Sequence, residues 1–140
     1  TVRGSTVEEL EGIILPAIKE AAQEIGSSYG AQVEMHHYEP LFKDMRQDKR
    51  LLDLFKDVMT EFGEVPRILP DDEADGSTDV GNVSYEVPTA QPTLQIGLGL
   101  EAHTPEFTCA AGSDYGLAQA IKGAKIMAVV ALRYALLSDT

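Results

Sequence analysis

The residues best suited to chemistry lie in the stretch LEAHTPEFTCAAGSDYG, residues 100–116. His103 stands there among small and polar residues, and an imidazole in such a loop can bind a metal ion. Cys109 follows, but its thiol becomes a nucleophile only if a distant histidine approaches it, so we favour a small packed residue. Spacing alone leaves His103 open to two interpretations, a metal ligand or an ordinary surface histidine.

A second candidate is the acidic loop from Asp71 to Asn82, which comes close to the pattern of a calcium loop. Carboxylates occupy its first, third and fifth positions, Gly76 is sixth and Asp79 is ninth. However, Glu73 at the third position is too long for the usual geometry, and Asn82 stands where a bidentate Glu belongs. We therefore favour a solvated acidic loop over a calcium site.

Two adjacent pairs also carry groups that can do chemistry. His36 and His37 fall in a predicted strand, where neighbouring side chains point to opposite faces and do not readily share one ion. Glu8 and Glu9 fall in the first turn of a predicted helix, where carboxylates are favoured by the positive end of the helix dipole. We assign structural or surface roles to both pairs.

The first forty residues are predicted to form a strand, a helix and a strand. Ser5 or Thr6 is a good N-cap for the helix, Pro16 should kink or restart it, and GSSYG ends it. The segment 31–40 alternates in the period of a strand. The helix is predicted to bury one apolar stripe: Val7, Leu10, Ile14, Ile18, Ala21 and Ile25.

Two further helices and two strands are predicted beyond residue 40. A helix over 48–62 carries one apolar side and ends at Gly63, and a loop covers 66–81. Strands are predicted in NVSYEV (82–87) and TLQIGLGL (93–100). A last helix begins near Ser113, with small residues that would let it pack on a sheet. Its predicted buried stripe is Leu117, Ile121, Ala124, Ala128, Leu132 and Leu136.

Composition limits the possible partners. The 140 residues carry a net charge of −12 and no run of Lys and Arg, which argues against nucleic acid as a partner. No apolar stretch reaches the roughly 20 residues that span a membrane. Cys109 is the single cysteine, so we expect no intrachain disulfide and a cytoplasmic, reducing compartment. The chain starts at Thr1 within a predicted strand, so we expect that end to be a cut.

Three stretches carry a resemblance to a known family: DGSTDVGNVSYEVPTAQP, HTPEF and AAGSDYGLAQAIKGAKIMAVVAL. Together they resemble the closing part of zinc-dependent amidohydrolases and peptidases, the family of aminoacylases, aminobenzoyl-glutamate hydrolases and glutamate carboxypeptidases. The resemblance implies an α/β protein, here an α+β fragment. Residues 1–40 would be the last strand, helix and strand of a ferredoxin-like lid or dimerisation domain. Residues 41–140 would be the C-terminal segment of the catalytic domain.

The same resemblance assigns roles to particular residues. It implies that His103 is a ligand to one of two zinc ions in the intact protein. It also implies that the loop GSTDVGNVS borders the substrate pocket, which makes Ser77, Thr78, Asp79 and Asn82 candidate substrate-binding residues. The expected substrates are small-molecule amides: N-acyl amino acids, aminobenzoyl-glutamate or small dipeptides.

The sequence also departs from the family. It contains no His-x-Asp motif, and Glu8-Glu9 falls in the lid helix, so it does not correspond to the family's catalytic Glu-Glu pair. A catalytic zinc site needs about three protein ligands and a carboxylate base. We therefore expect no catalytic residue here and a fragment that is inactive alone, self-associating or joined by a complementing N-terminal segment. The alternative is a non-catalytic oligomerisation or binding module.

Overall fold

The computed structural model describes residues 1–69 and 76–138, which fall into two compact units. One unit comprises residues 1–46 with 76–87, and the other comprises 47–69 with 88–138. The helices are α1 (Val7–Glu9), α2 (Leu15–Ser28), α3 (Lys49–Glu61), α4 (Val80–Val83), α5 (Pro105–Ala111) and α6 (Asp114–Ser138), and a π-helical turn at Leu10–Ile14 joins α1 to α2. None of the helices in these ranges is long and apolar enough to cross a membrane.

The first unit begins with a well-capped helix. Thr6, not Ser5, is the N-cap, and its Oγ1 accepts a hydrogen bond from the Glu9 amide at 3.1 Å. The Glu9 carboxylate in turn accepts from the Ser5 amide at 2.9 Å. Asp44 completes the cap, because its Oδ1 accepts from the Val7 amide at 2.8 Å. These contacts satisfy amides that a helix start leaves without partners, and they give Glu9 a capping role.

The π-helical turn explains how the chain accommodates Pro16. Proline has no amide hydrogen and its ring clashes with the carbonyl four residues earlier, so it disrupts a continuous α-helix. Here the Leu15 amide donates to the Leu10 carbonyl, five residues back, and α2 then starts with Pro16 in its first turn. The prediction that Pro16 restarts the helix is confirmed.

The predicted buried stripe of this helical segment is only partly correct. Val7 and Leu10 are buried, but Ile25 is 61% exposed and Ile18 and Ala21 also face solvent. The close contact at the end of α2 involves Gly26, where an added Cβ would overlap the Val33 side chain. The apolar side of α2 is therefore largely open within this unit.

The structure contains no β-strand in the described ranges, so the strands predicted at 31–40, 82–87 and 93–100 are not observed. Residues 80–83 form α4, and the amides of Glu86 and Val87 donate to the Val83 carbonyl. These local hydrogen bonds use the backbone groups that a sheet would need. A strand also needs a neighbour to pair with, and residues 31–37 have no regular structure. The α/β class, the lid and the division at residue 40 remain predictions.

The second unit is built on the packing of α3 against α6. Val58 and Met59 from α3 and Ile126 and Val130 from α6 are buried. Asp48 caps α3 by accepting from the Leu51 amide at 2.8 Å, and Gly63 follows its end in a left-handed conformation. The prediction of this helix is confirmed. Partly buried side chains surround the core: Leu51, Leu54, Phe55, Phe62, Leu94 and Val129.

The face of α6 that packs on α3 is opposite to the predicted one. The stripe from Leu117 to Leu136 is exposed, whereas Gln119, Ile126 and Val130 are buried. The prediction is wrong because α6 is apolar nearly all round, so periodicity alone does not select a face. Two ion pairs fix the choice: Lys122 with Glu64 at 2.6 Å and Arg133 with Glu61 at 2.7 Å.

Candidate functional site

His103 lies in an exposed turn directly before α5, and its backbone is left-handed with φ of 65°. For a residue other than glycine this conformation is uncommon and costs about 1–2 kcal/mol. The turn is fixed by Thr104, whose Oγ1 donates to the Glu101 carbonyl at 2.7 Å and accepts from the Phe107 amide at 3.2 Å. The Thr-Pro-Glu sequence that starts α5 is a helix-start signal that our sequence analysis missed.

The surroundings of His103 do not complete a metal site. In residues 1–69 and 76–138 no group of three or more His, Cys, Asp or Glu side chains is arranged to hold a metal ion. A catalytic zinc ion needs about three protein ligands, so the donors that the structure describes do not fit zinc by themselves. Asp71, Glu73 and Asp75 of the predicted acidic loop lie outside the described residues. His36 contacts Glu34 at 3.3 Å on the surface of the other unit.

Three of the four predicted substrate-binding residues lie at the start of α4 in the first unit. The Ser77 hydroxyl is exposed and accepts from Nη1 of Arg3 at 2.7 Å. The Thr78 hydroxyl accepts from the Val80 amide at 3.3 Å. Asp79 is exposed and its side chain makes no capping bond to α4. Ser77 and Asp79 are thus the more accessible members of this set.

Asn82, the fourth predicted residue, attaches the segment 41–46 to α4. Its Nδ2 donates to the Leu41 carbonyl at 2.9 Å, and its Oδ1 accepts from the Lys43 amide at 3.0 Å. The side-chain amide thereby makes the two bonds that a neighbouring strand would make. Gly81 allows this approach, since a Cβ there would overlap the Lys43 carbonyl oxygen. The amide of Asn82 has a structural task in this unit.

A cluster around Asp44 and Tyr85 strengthens the same attachment and was not found from the sequence. The Tyr85 hydroxyl donates to Oδ1 of Asp44 at 2.8 Å, and the Arg46 guanidinium lies 3.6 Å from the Tyr85 ring centroid. Arg46 also pairs with Glu8 at 3.2 Å. Desolvation raises the pKa of Asp44, but hydrogen bonds from Val7 and Tyr85 lower it further, so the net pKa is below the ordinary value.

The second unit contains a groove of about 420 Å³ between α3, α6 and the segment 90–96. Phe55, Met59 and Ile126 contribute apolar surface to it. Its buried polar group, Gln119, donates to the Gln95 carbonyl at 3.0 Å. No histidine, cysteine, carboxylate or cation lines the groove in the part of the chain that the structure describes. The groove can therefore offer apolar contact, but it holds no acid, base, nucleophile or metal ligand.

The sequence predictions thus fall in two separate units. Ser77, Thr78, Asp79 and Asn82 belong to the first unit, and His103 belongs to the second. Cys109 is exposed on α5, and not a packed residue as predicted. The bonds of Asn82 and Asp44 join residues about forty positions apart. No local sequence pattern signals such pairs.

Comparison with known proteins connects the chain to peptide hydrolysis. It is 29% identical to the Xaa-Arg dipeptidase of Mus musculus over 133 residues, which cover 93% of this chain and 30% of that protein. It is 44% identical to the Xaa-Arg dipeptidase of Homo sapiens over 57 residues, 41% of this chain and 13% of that protein. The chain thus spans less than a third of the length of the curated relatives it matches.

Other comparisons return nothing: no family model matches and no solved structure matches. The dipeptidase similarity supports a relation to the peptidases and amidohydrolases, and therefore to hydrolytic enzymes. It does not extend to the aminoacylases, aminobenzoyl-glutamate hydrolases or glutamate carboxypeptidases in particular.

Proposed function

We propose that this chain is a C-terminal segment of a metal-dependent hydrolase that cleaves amide bonds in dipeptides or N-acyl amino acids. The observation that carries the proposal is the similarity to a dipeptidase along 93% of the chain. Aminobenzoyl-glutamate belongs to the same chemical class of small amide and stays among the candidate substrates. A cytoplasmic location agrees with a single, exposed Cys109, since a thiol stays reduced there.

His103 would supply one imidazole ligand to a zinc centre in the longer polypeptide, where two ions are expected. Its exposure supports this role, and so does the lack of a hydrogen-bond partner for its ring among the described residues. A ligand must present a neutral ring nitrogen to the ion, and an exposed ring outside a helix can turn to do so. Strained backbone is also concentrated at functional sites.

The chain by itself would be inactive. Hydrolysis of an amide needs an activated water and a base that takes its proton, and zinc sites provide both through several converging side chains. The described residues do not bring such groups together. Ser77 and Asp79 remain accessible at the start of α4 and are proposed to contact or shape the substrate pocket once the remaining segments are present.

A second candidate is the non-catalytic module, and one specific observation favours it. The helical segment 7–28 leaves Ile13, Ile18 and Ile25 exposed in its unit. An exposed apolar set of this kind is typical of an interaction surface. Both functions are compatible, since a segment that completes an enzyme can also contribute to oligomer formation.

The test uses the longer polypeptide that contains this segment, purified with zinc and supplied with an Xaa-Arg dipeptide. His103→Ala should lower bound zinc and the rate of hydrolysis together, the rate by at least about 100-fold, because a metal ligand is removed. His36→Ala is the matched control, since it removes another exposed imidazole, and it should retain both.

Two results would overturn the proposal. One is full zinc content and full activity in the His103→Ala protein. The other is hydrolysis of the dipeptide by the 140-residue chain alone, which would mean that a complete site lies within it.

A further inference from the structure

α6 presents a second apolar surface on the side opposite to α3. Leu117, Ile121, Leu132 and Leu136 are 55%, 60%, 67% and 72% exposed, and the small residues Ala124 and Ala128 between them are also exposed. We call these six residues the outer stripe. At 1.5 Å per residue it extends about 28 Å along the helix. A helix that is apolar on both sides is normally covered on both.

The outer stripe has an order that reads the same in both directions. Two large residues, two small residues and two large residues follow one another from Leu117 to Leu136. A twofold-symmetric dimer joins the same surface of two copies, so each residue of that surface must fit its own counterpart across the axis. The outer stripe meets this condition: large side chains can meet large ones, and the alanines let the helix axes approach closely.

Charge selects the direction of the pairing. Lys125 borders the outer stripe near its middle. In a parallel pair, the Lys125 ammonium groups of the two copies would face each other and repel. In an antiparallel pair centred between residues 126 and 127, Lys125 of one copy lies opposite Ala128 of the other. Antiparallel pairing also brings the positive end of each helix dipole near the negative end of the other.

We infer that a second copy of this chain covers the outer stripe, in an antiparallel helix pair in which Leu117 meets Leu136 and Ile121 meets Leu132. The rest of the chain supports this site of contact, because its net charge of −12 opposes association elsewhere, whereas the six residues are uncharged. One helix face of this length makes a small interface, below about 1,200 Å² in total, so the dimer is weak and depends on concentration.

Sedimentation equilibrium of the 140-residue chain tests the inference. The wild-type chain should change from monomer to dimer as its concentration rises. Ile121→Glu should weaken the dimer by about 100-fold, because it places a carboxylate against Leu132 of the other copy. Leu98→Glu is the matched control: it changes an exposed leucine of the same unit outside α6 and should leave the dimer unchanged.

A double variant tests the direction of the helices. In the antiparallel pair, Ile121→Glu combined with Leu132→Lys places each new carboxylate opposite a new ammonium group, and dimerisation should return. In a parallel pair like charges would meet and dimerisation would stay lost. Circular dichroism checks that each variant keeps its helices, and Ile121→Ala replaces Ile121→Glu if the latter does not fold.

Three outcomes contradict the inference. A wild-type chain that stays monomeric at all concentrations shows that another segment or a different partner covers the stripe. Equal dimerisation of Ile121→Glu and Leu98→Glu shows that the contact lies elsewhere. No recovery in the double variant rules out the antiparallel pairing.

Discussion

Residues 41–46 of the first unit are fixed by single polar atoms of Asn82, Asp44 and Tyr85, whereas α3 and α6 of the second unit are joined by buried apolar side chains. In the first unit each contact depends on the position of one donor and one acceptor. In the second unit many side chains share the contact. The polar attachment is therefore specific but sensitive to one substitution, and the apolar one is stabilised by the amount of surface it buries.

The two units also differ in what they leave outside. The first unit buries Val7 and Leu10 but leaves most of the apolar side of α2 exposed. The second unit buries one face of α6 and leaves the outer stripe exposed. Both surfaces are larger than scattered single exposures, which are normal on any protein. Each unit thus has one apolar side that its own residues do not cover.

The largest effect is expected in the apolar contact. Ile126→Ala removes a buried side chain between α6 and α3 and should lower the free energy of unfolding by about 2–5 kcal/mol. Leu98→Ala, at an exposed position of the same unit, should change it by less than about 0.5 kcal/mol. Urea denaturation measures both. Equal effects of the two substitutions would mean that α3 and α6 do not form the core of this unit.

The polar attachment should respond to Asn82. Asn82→Ala leaves the Lys43 amide and the Leu41 carbonyl without their partner and should cost about 1–3 kcal/mol. Asn82→Asp keeps the acceptor for Lys43 and loses the donor to Leu41, so its effect should be intermediate. Hydrogen exchange at the Lys43 amide should become faster in the alanine variant only. Unchanged exchange there would contradict the attachment.

A smaller effect is expected from the Tyr85 hydroxyl. Tyr85→Phe removes one hydrogen bond to Asp44 and should cost about 1 kcal/mol, whereas Tyr38→Phe, at an exposed tyrosine, should cost nothing measurable.

The same substitution changes the acid titration. Because the pKa of Asp44 is lower in the folded chain than its ordinary value, its stabilisation is complete above that ordinary value and is lost as pH falls through the folded pKa. Tyr85→Phe should move the folded pKa of Asp44 upward and reduce this loss. Carboxyl chemical shifts followed against pH by NMR measure it, and an unmoved pKa would exclude the hydrogen bond.

The smallest effect is expected from the ion pair between Lys122 and Glu64. The hydrogen bond from Lys122 lowers the pKa of Glu64, and desolvation opposes it. Glu64→Gln should destabilise by about 1 kcal/mol or less, since such pairs contribute little near a surface. Asp53→Asn, which breaks the more exposed pair with Lys49, should have less effect still. The reverse order would mean that partial burial does not strengthen the pair.

How far the sequence predicts this molecule depends on how local each signal is. α3 was predicted correctly because Asp48, one apolar side and Gly63 all lie within it or beside it. α6 was placed correctly along the chain, but its buried face was not, because the choice depends on Glu61 and Glu64 of another element. Val83 and Tyr85 favour strands intrinsically, yet a helix and turns form there.

The candidate site shows the same limit. His103 stands out from its motif, but its left-handed backbone depends on a turn that the motif does not reveal. Asn82 was assigned to the substrate pocket because of its loop. Its bonds go to Leu41 and Lys43, about forty residues earlier. Contacts at such separation are set by tertiary structure, and a single sequence carries no direct signal of them.

The central claim is that this chain carries one metal ligand of a hydrolase and not a complete metal site. Calorimetric titration of Zn²⁺ into the 140-residue chain tests it directly, with His103→Ala measured in parallel. The account predicts no tight, stoichiometric binding in either protein, because the described residues do not assemble a set of ligands around His103. Tight binding of one or two zinc ions that disappears in His103→Ala would contradict it.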